Sequence, residues 1–359
     1  MSGDSFGRLF RLTTFGESHG RGLGGVVEGC PAGVPLSEEA IQEKLDKRKP
    51  GQPGGASTTR KEPDRVQLYS GVLEGATTGT AIGFLIENQD QRSRDYSKVK
   101  DVYRPGHADI TYDAKYGVRD YRGGGRSSAR ETVSRVVGGA VAQAFLAGLG
   151  VSFRVFPVEL GGVAAPAFSE ADLASAQERP FFAPHPDAVE AWKERVAEVK
   201  KDGDSIGGVV QVEIHGMPTG LGEPVFDKLD ARLAYALMGV GAVKGVEIGS
   251  GFAAARSLGS VNNDPLVPIG MEQSSNNAGG ILGGISDGRP VVARVAVKPI
   301  PSIFKEQRTV NSSGEATTIS MGGRHDVSAI PRIVPVLEAM ASLVTADFVL
   351  LQRRMGGRP

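Results

Sequence analysis

The sequence predicts an α+β fold in which helices layer onto antiparallel sheets. Strand-like and helix-like stretches follow one another in mixed order, without the regular strand, helix, strand beat of a parallel α/β sheet. The chain has 359 residues, 40% of them apolar, which is enough for one substantial core. Its 50 glycines, about twice the average fraction of roughly 7%, fall in many separate loops, with no collagen-like period or low-complexity tract to absorb them.

In chain order, an apolar run bounded by turn residues predicts a strand at 23–28. Ser37 is placed to cap a helix over 38–47, and strands follow at 66–71 and 80–87. Ser128 and Glu131 have the spacing of a capping box, and Val133, Val136, Val137, Val141 and Phe145 keep one apolar face, so a helix is expected over 129–149. The stretch 157–204, rich in Pro and Ala and holding a charged helix at 188–201 around the single Trp192, reads as an insertion. A strand at 208–215, a helix at 227–238, a well-alternating strand at 289–298 and a helix at 334–354 complete the set. No linker divides the chain and no fixed-period repeat recurs, so residues 1–359 read as one domain ending in a frayed basic tail, 353–359.

Charge and composition narrow the function. Lys plus Arg equals Asp plus Glu at 41 each, so no whole-molecule field draws the chain to nucleic acid or membrane, and any basic site must be local. The one cysteine, Cys30, cannot form an intrachain disulfide or a thiolate cluster, and a reducing compartment suits it. Residues 1–7 carry no signal-peptide or transit-peptide pattern, and no uninterrupted apolar run reaches the roughly 18 residues of a membrane span. A soluble, cytoplasmic protein is expected.

Residues 123–135 join three glycines, a helix start and several guanidinium groups. Unpaired N–H groups at the helix start, glycines that admit close approach, and Arg126 and Arg130 as bidentate donors describe an anion site. A flexible turn before an ordinary capped helix is the competing reading. His19, His107 and His325 stand in glycine-rich or charged loops where proton donors are found, whereas His185, between two prolines, reads as surface and His215, at a strand end, as structural. A metal could use His107 with Asp109 or His325 with Asp326, but the spacing matches no zinc pattern, and none is expected. Residues 249–254 fit a relaxed dinucleotide fingerprint without the helix it requires, and read as a turn. Basic clusters at 44–49, 92–104, 119–135 and 324–332 lack the interleaved aromatics of a nucleic-acid surface.

The motifs Phe-Gly-Glu-Ser-His-Gly at 15–20, Arg-Pro-Gly-His-Ala-Asp at 104–109, Gly-Arg-Ser-Ser-Ala-Arg-Glu-Thr at 125–132 and Arg-His-Asp-Val-Ser-Ala-Ile-Pro-Arg at 324–332 share their order and spacing with one family. With the runs beginning at Lys244 and Asn277, they make the chain resemble chorismate synthase along nearly its whole length. The resemblance implies a single-domain β-α-β sandwich with helices packed between antiparallel sheets, and a homotetramer. It implies anti-1,4-elimination of phosphate from 5-enolpyruvylshikimate 3-phosphate to chorismate, the last common step of the shikimate pathway, with reduced FMN required and no net oxidation.

By the same resemblance His19 protonates the leaving phosphate, His107 sits against the reduced flavin, and Asp326, with Ser18 and Ser128, helps pass the substrate proton to the flavin. Arg126, Ser127, Ser128, Gly241, Ala242, Gly283, Lys298, Ser302 and Arg324 are implied at the FMN, and Arg48, Arg104, Arg130 and Arg332 at the substrate or at NADP. The family pattern usually has Asn where this chain has Gly241, leaving only backbone for that contact. It also carries an arginine in the loop after Arg48 that residues 52–59 lack, with Arg60 the nearest replacement. The chain's length resembles the shorter members, which rely on an external flavin reductase, NADPH then being an indirect reductant.

Overall fold

The computed structural model describes residues 3–57, 62–89, 99–268, 274–322 and 325–356. Two five-stranded antiparallel sheets enclose a layer of helices. The first sheet holds β1 (Ser5–Phe6), β2 (Arg11–Gly16), β3 (Gly22–Glu28), β4 (Val66–Leu68) and β5 (Ile82–Glu87), in the order β1-β2-β3-β5-β4. The second holds β6 (Ser152–Leu160), β7 (Val163–Ala164), β8 (Gly208–His215), β9 (Val243–Ile248) and β10 (Val291–Val297), in the order β9-β10-β8-β6-β7. On β8, Val212 lies opposite Val155 of β6 on one side and Ala293 of β10 on the other.

Between the sheets lie α1 (Glu38–Arg48), α3 (Thr132–Ala147), α5 (Leu229–Met238) and α6 (Ile330–Arg354), while α2 (Asp109–Tyr116) and α4 (Pro186–Lys201) complete the longer helices. Helix α3 packs on β2 and β3, α6 on β6 and β8, and the two helices on each other, giving the sandwich that the motifs imply. Their contact is close: a Cβ at Gly139 of α3 would fall 2.3 Å from that of Ala339 in α6. Any side chain there would push the two central helices apart.

Besides the two-residue β1 and β7, three longer strands of these sheets escape the pattern reading. β2 carries Thr-Thr and a glycine, β9 a glycine, and β6 a proline at 157, next to the register shift opposite Val209 and Val210. A bulge is where a strand tolerates the missing N–H. The stretch 157–204 is packed into the core: it begins inside β6, and Trp192 is fully buried, stacked edge-on against Phe181 and donating its Nε1–H to Val163 O at 2.9 Å. Helix α6 starts four residues earlier than expected, because Pro331 sits in the first turn, where its missing N–H costs nothing. It also runs through Arg353 and Arg354 of the expected tail; residues 357–359 lie outside the described residues. This helix is long and apolar enough to cross a membrane, but 94% of its apolar stretch is buried between the sheets, as a core helix would be.

Helix α3 corrects the capping box. Its first turn, Ala129–Glu131, is 3₁₀, and Ser128 Oγ accepts from Arg130 N at 3.3 Å. Glu131 does not reach back; its carboxylate takes Arg135 Nε at 2.9 Å instead. His215 is structural, 2.9 Å from Glu213 and accepting from Arg154 Nε at 3.0 Å, and His185 accepts from Asp187 N to cap α4.

Candidate active site

The chain leaves β2 through a tight turn, closed by Gly20 N donating to Glu17 O at 3.1 Å. Ser18 and His19 occupy its middle, with Ser18 Oγ 3.1 Å from His19 Nδ1. Asn88, just past β5 on the neighbouring strand pair, donates both Nδ2 hydrogens to this turn, to Glu17 O at 2.9 Å and Gly20 O at 2.9 Å.

His107 sits in a second turn, its N–H donating to Arg104 O at 3.2 Å. The Arg104 guanidinium grips the Asp109 carboxylate at both ends, Nε to Oδ2 at 2.8 Å and Nη2 to Oδ1 at 2.7 Å, and Arg104 N adds a third bond at 3.0 Å. Burial raises the cost of charging Asp109, but the bonds from Arg104 and His107 outweigh it and hold the carboxyl well below the usual carboxylate range. His107 Nδ1 lies 3.1 Å from Arg104 Nη2 and 3.2 Å from Asp109 Oδ1. Unprotonated, this nitrogen can only accept from arginine; protonated, it can only donate to aspartate. Either way the ring is held in one orientation.

Gly123 and Gly124 come between the two histidines. A Cβ on Gly123 would lie 2.4 Å from His19 Cε1, and one on Gly124 would lie 2.9 Å from His107 Cε1 and 2.9 Å from Ser127 Oγ. Both residues also have positive φ, +77° and +90°. Only bare backbone fits, so the loop forms a thin partition with one imidazole against each glycine. Ser127 braces it by donating Oγ–H to Gly124 O at 2.7 Å.

One turn on, the arginines of three separated segments gather. Arg48, at the end of α1, is almost wholly buried, with Nε donating to Thr132 Oγ1 at 3.2 Å, Nη1 to Asp64 Oδ2 at 3.2 Å and Nη2 to Ala129 O at 2.8 Å. Arg130 shares the same fully buried Asp64, pairs with Glu62 at 2.6 Å and donates Nε to Asn88 Oδ1 at 3.0 Å. Burial, then the charges of Arg332 and Arg130, push the Arg48 guanidinium below its ordinary value, with Asp64 and Glu62 pulling it back. Arg332, at the start of α6, holds Asp326 at 2.9 Å. Arg48, Arg130 and Arg332 thus form one cationic cluster with three carboxylates, Glu62, Asp64 and Asp326, while Arg104 belongs with His107.

On the other side of His107, Lys298 directly follows β10 and donates Nζ to Gly106 O at 2.7 Å and its N–H to Ala242 O at 2.9 Å. Its ammonium is shifted below its ordinary value, first by burial and then by Lys244. Ser302 follows four residues on, just past Pro301, which packs against Gly106. Gly241 faces open space, and Ala242 has φ +75°. Two expected flavin residues stand elsewhere within the chain. Arg126 turns away to Asp4 at 3.0 Å and Thr14 Oγ1 at 2.7 Å, into a cavity of about 1020 Å³ behind the glycine loop that is also lined by Tyr112, Arg135 and Tyr235. Gly283 lies in the turn against the start of α5, whereas Gly241 follows its far end; ten helical residues span about 15 Å. Arg60 and Arg324 lie outside the described residues. His325 donates Nε2–H to Gly322 O at 3.0 Å, with its ring edge-on to Phe304.

Sequence reading missed Asn88, Glu62, Asp64 and Thr132. The acids stand in a Lys-Glu-Pro-Asp run that reads as an ordinary charged loop, and Asp64 declares itself only by its positive φ of +47° and complete burial.

The sequence profile of the family described as chorismate synthase matches residues 10–350. The chorismate synthase of Oleidesulfovibrio alaskensis is 67% identical over 355 residues, 99% of each chain, and that of Nitratidesulfovibrio vulgaris is 65% identical over 355 residues with the same coverage. A crystal structure of chorismate synthase superposes with a TM-score of 0.77 at 34% identity, covering 98% of this chain and 94% of that one. With motifs, fold and relatives in agreement, the chain belongs to the chorismate synthase family of carbon–oxygen lyases in the shikimate pathway.

Proposed function

We propose that this chain converts 5-enolpyruvylshikimate 3-phosphate to chorismate by anti-1,4-elimination, with reduced FMN bound and unconsumed. The observation that carries this is the bare Gly123–Gly124 partition with His19 on one glycine and His107 on the other, one turn from a three-arginine cluster. A substrate with two carboxylates and a phosphate needs several guanidinium groups in one place, which an electrically balanced chain must concentrate locally. Arg130 and Arg332 are assigned to its anionic groups, with Arg48 behind them and Arg104 on the His107 side.

In the elimination a C–H and a C–O bond break, a C=C bond forms, and phosphate departs. His19, beside Ser18, supplies a proton to the leaving phosphate, a role of the size expected for a positioned general acid. Asp326, with Ser18 and Ser128, handles the proton leaving the substrate. The donor set also fits a flavin mononucleotide: the loop offers backbone without side chains, and the mutually repelling Lys298 and Lys244, near Ser302, suit a phosphate. Ser127, Gly241 and Ala242 would flank it, as would Arg126 and Gly283 if they are redirected or supplied by assembly. When bound, the reduced flavin supplies transient electron density for C–O cleavage. A homotetramer, a cytoplasmic location and an external flavin reductase using NADPH belong to the same reading.

An anaerobic assay with chemically reduced FMN tests it. Equal amounts of phosphate and chorismate, with the flavin still reduced at the end, are expected. One flavin oxidised per product would instead make the chain an ordinary flavin oxidoreductase. Under air with NADPH and oxidised FMN, turnover is expected only after a flavin reductase is added.

A further inference from the structure

We infer that Asn88 is a positioning residue that locks the turn carrying His19 to the substrate-binding Arg130. The inference rests on the reading above and assigns a residue to a task that neither the histidine nor the arginine motifs contain. Asn88 stands just past the end of β5 and its backbone N–H is tied to Arg21 O at 3.1 Å, so its amide is anchored to the end of the first sheet. Three of its side-chain bonds go to two functional segments. Both Nδ2 hydrogens reach carbonyls at the two ends of the Glu17–Gly20 turn, each at 2.9 Å, and Oδ1 accepts from Arg130 Nε at 3.0 Å.

The partners fix which way the amide points. Glu17 O and Gly20 O can only accept and a guanidinium can only donate, so a flipped amide would lose all three bonds. No other standard side chain of this length offers two donors to one side and an acceptor to the other; aspartate lacks the donors and leucine lacks both. The bracket therefore sets how far the proton donor stands from the cation that holds the substrate. Such spacing matters to catalysis out of proportion to its bond energy, because a displacement of about 1 Å can cost on the order of 10²-fold in rate.

The test combines Asn88→Ala with Asn88→Asp and His19→Ala in the full-length protein with chemically reduced FMN, alongside flavin-free calorimetry of substrate binding. Asn88→Ala should lower kcat by about 10²-fold. In the His19→Ala background the same change should cost less than about 3-fold, since the group being positioned is gone. Asn88→Asp keeps the acceptor for Arg130 and loses both donors to the turn, so it should keep substrate affinity within a few-fold and still lose kcat. Equal losses in both backgrounds, or an Asn88→Asp variant with normal kcat, would overturn the inference. If Asn88→Ala fails to fold, the kcat and affinity of Asn88→Asp decide alone. Wild-type turnover in His19→Ala would instead sink the underlying assignment of His19.

Discussion

The two histidines face each other across two glycines, yet they are held by different physics. His107 sits in a charged net, its Nδ1 within reach of both Arg104 and a buried, firmly ionised Asp109. His19 has Ser18 beside it and depends on a backbone turn whose ends are clamped by the neutral amide of Asn88. A charged net holds a ring through strong bonds that change with protonation, and a clamped turn holds one through geometry. The first should respond to pH and charge substitution, the second to small displacements of backbone.

Substitutions can break this contrast at several points. The largest effects should come from the rings themselves: His19→Ala and His107→Ala are each expected to slow turnover by about 10²-fold or more with the fold intact, as checked by steady-state kinetics and circular dichroism. Next come the glycines. Gly123→Ala adds a methyl 2.4 Å from His19 Cε1 at positive φ, and should lower kcat by about 10²-fold. Gly124→Ala meets His107 and Ser127 at 2.9 Å, where side chains can give, and should cost about 10-fold. The reverse ranking would show that the partition constrains the His107 side more tightly.

Asp109→Asn should act on His107 and on the Arg104 that grips the same carboxylate, lowering kcat by about 10-fold and altering its pH dependence. The stability side has a definite sign. Asp109 is held below its ordinary carboxyl value, so the stability it lends is present in full above about pH 4 and is lost progressively as pH falls below that. Thermal midpoints measured from pH 7 to 3 should therefore fall less steeply for Asp109→Asn than for the parent; an unchanged slope would remove Asp109 from the account. The smallest effect is expected far from both rings, at Cys30. Burial, opposed by a bond with Thr77, pushes its thiol up to about 11, so alkylation at pH 8 should be negligible until the protein unfolds, and Cys30→Ala should leave turnover unchanged.

Much of the contrast could be read in the sequence, and the reason is local. His19, His107, Arg126, Ser127, Ser128 and Arg130 lie in short loop motifs whose glycines and charges are unusual enough to stand out before any contact is known. The two central helices were also legible, since α3 and α6 keep long apolar faces, whereas α2 after His107 was not. What could not be read depends on contacts between distant residues. Asp64 binds Arg48 and Arg130 from an unremarkable loop, Asn88 reaches the His19 turn across β3, and Pro157 hides a central strand behind a bulge. The helix start at Ser128 shows the same limit: the capping-box spacing is present, but Arg135, one turn further on, takes the glutamate that would have completed it.

The most direct test of the two-histidine account is single-turnover phosphate release with chemically reduced FMN, comparing the parent with His19→Ala and His107→Ala at saturating substrate. The account predicts that each variant binds substrate within a few-fold of the parent and releases phosphate about 10²-fold or more slowly. Release at the parental rate from either variant would contradict it.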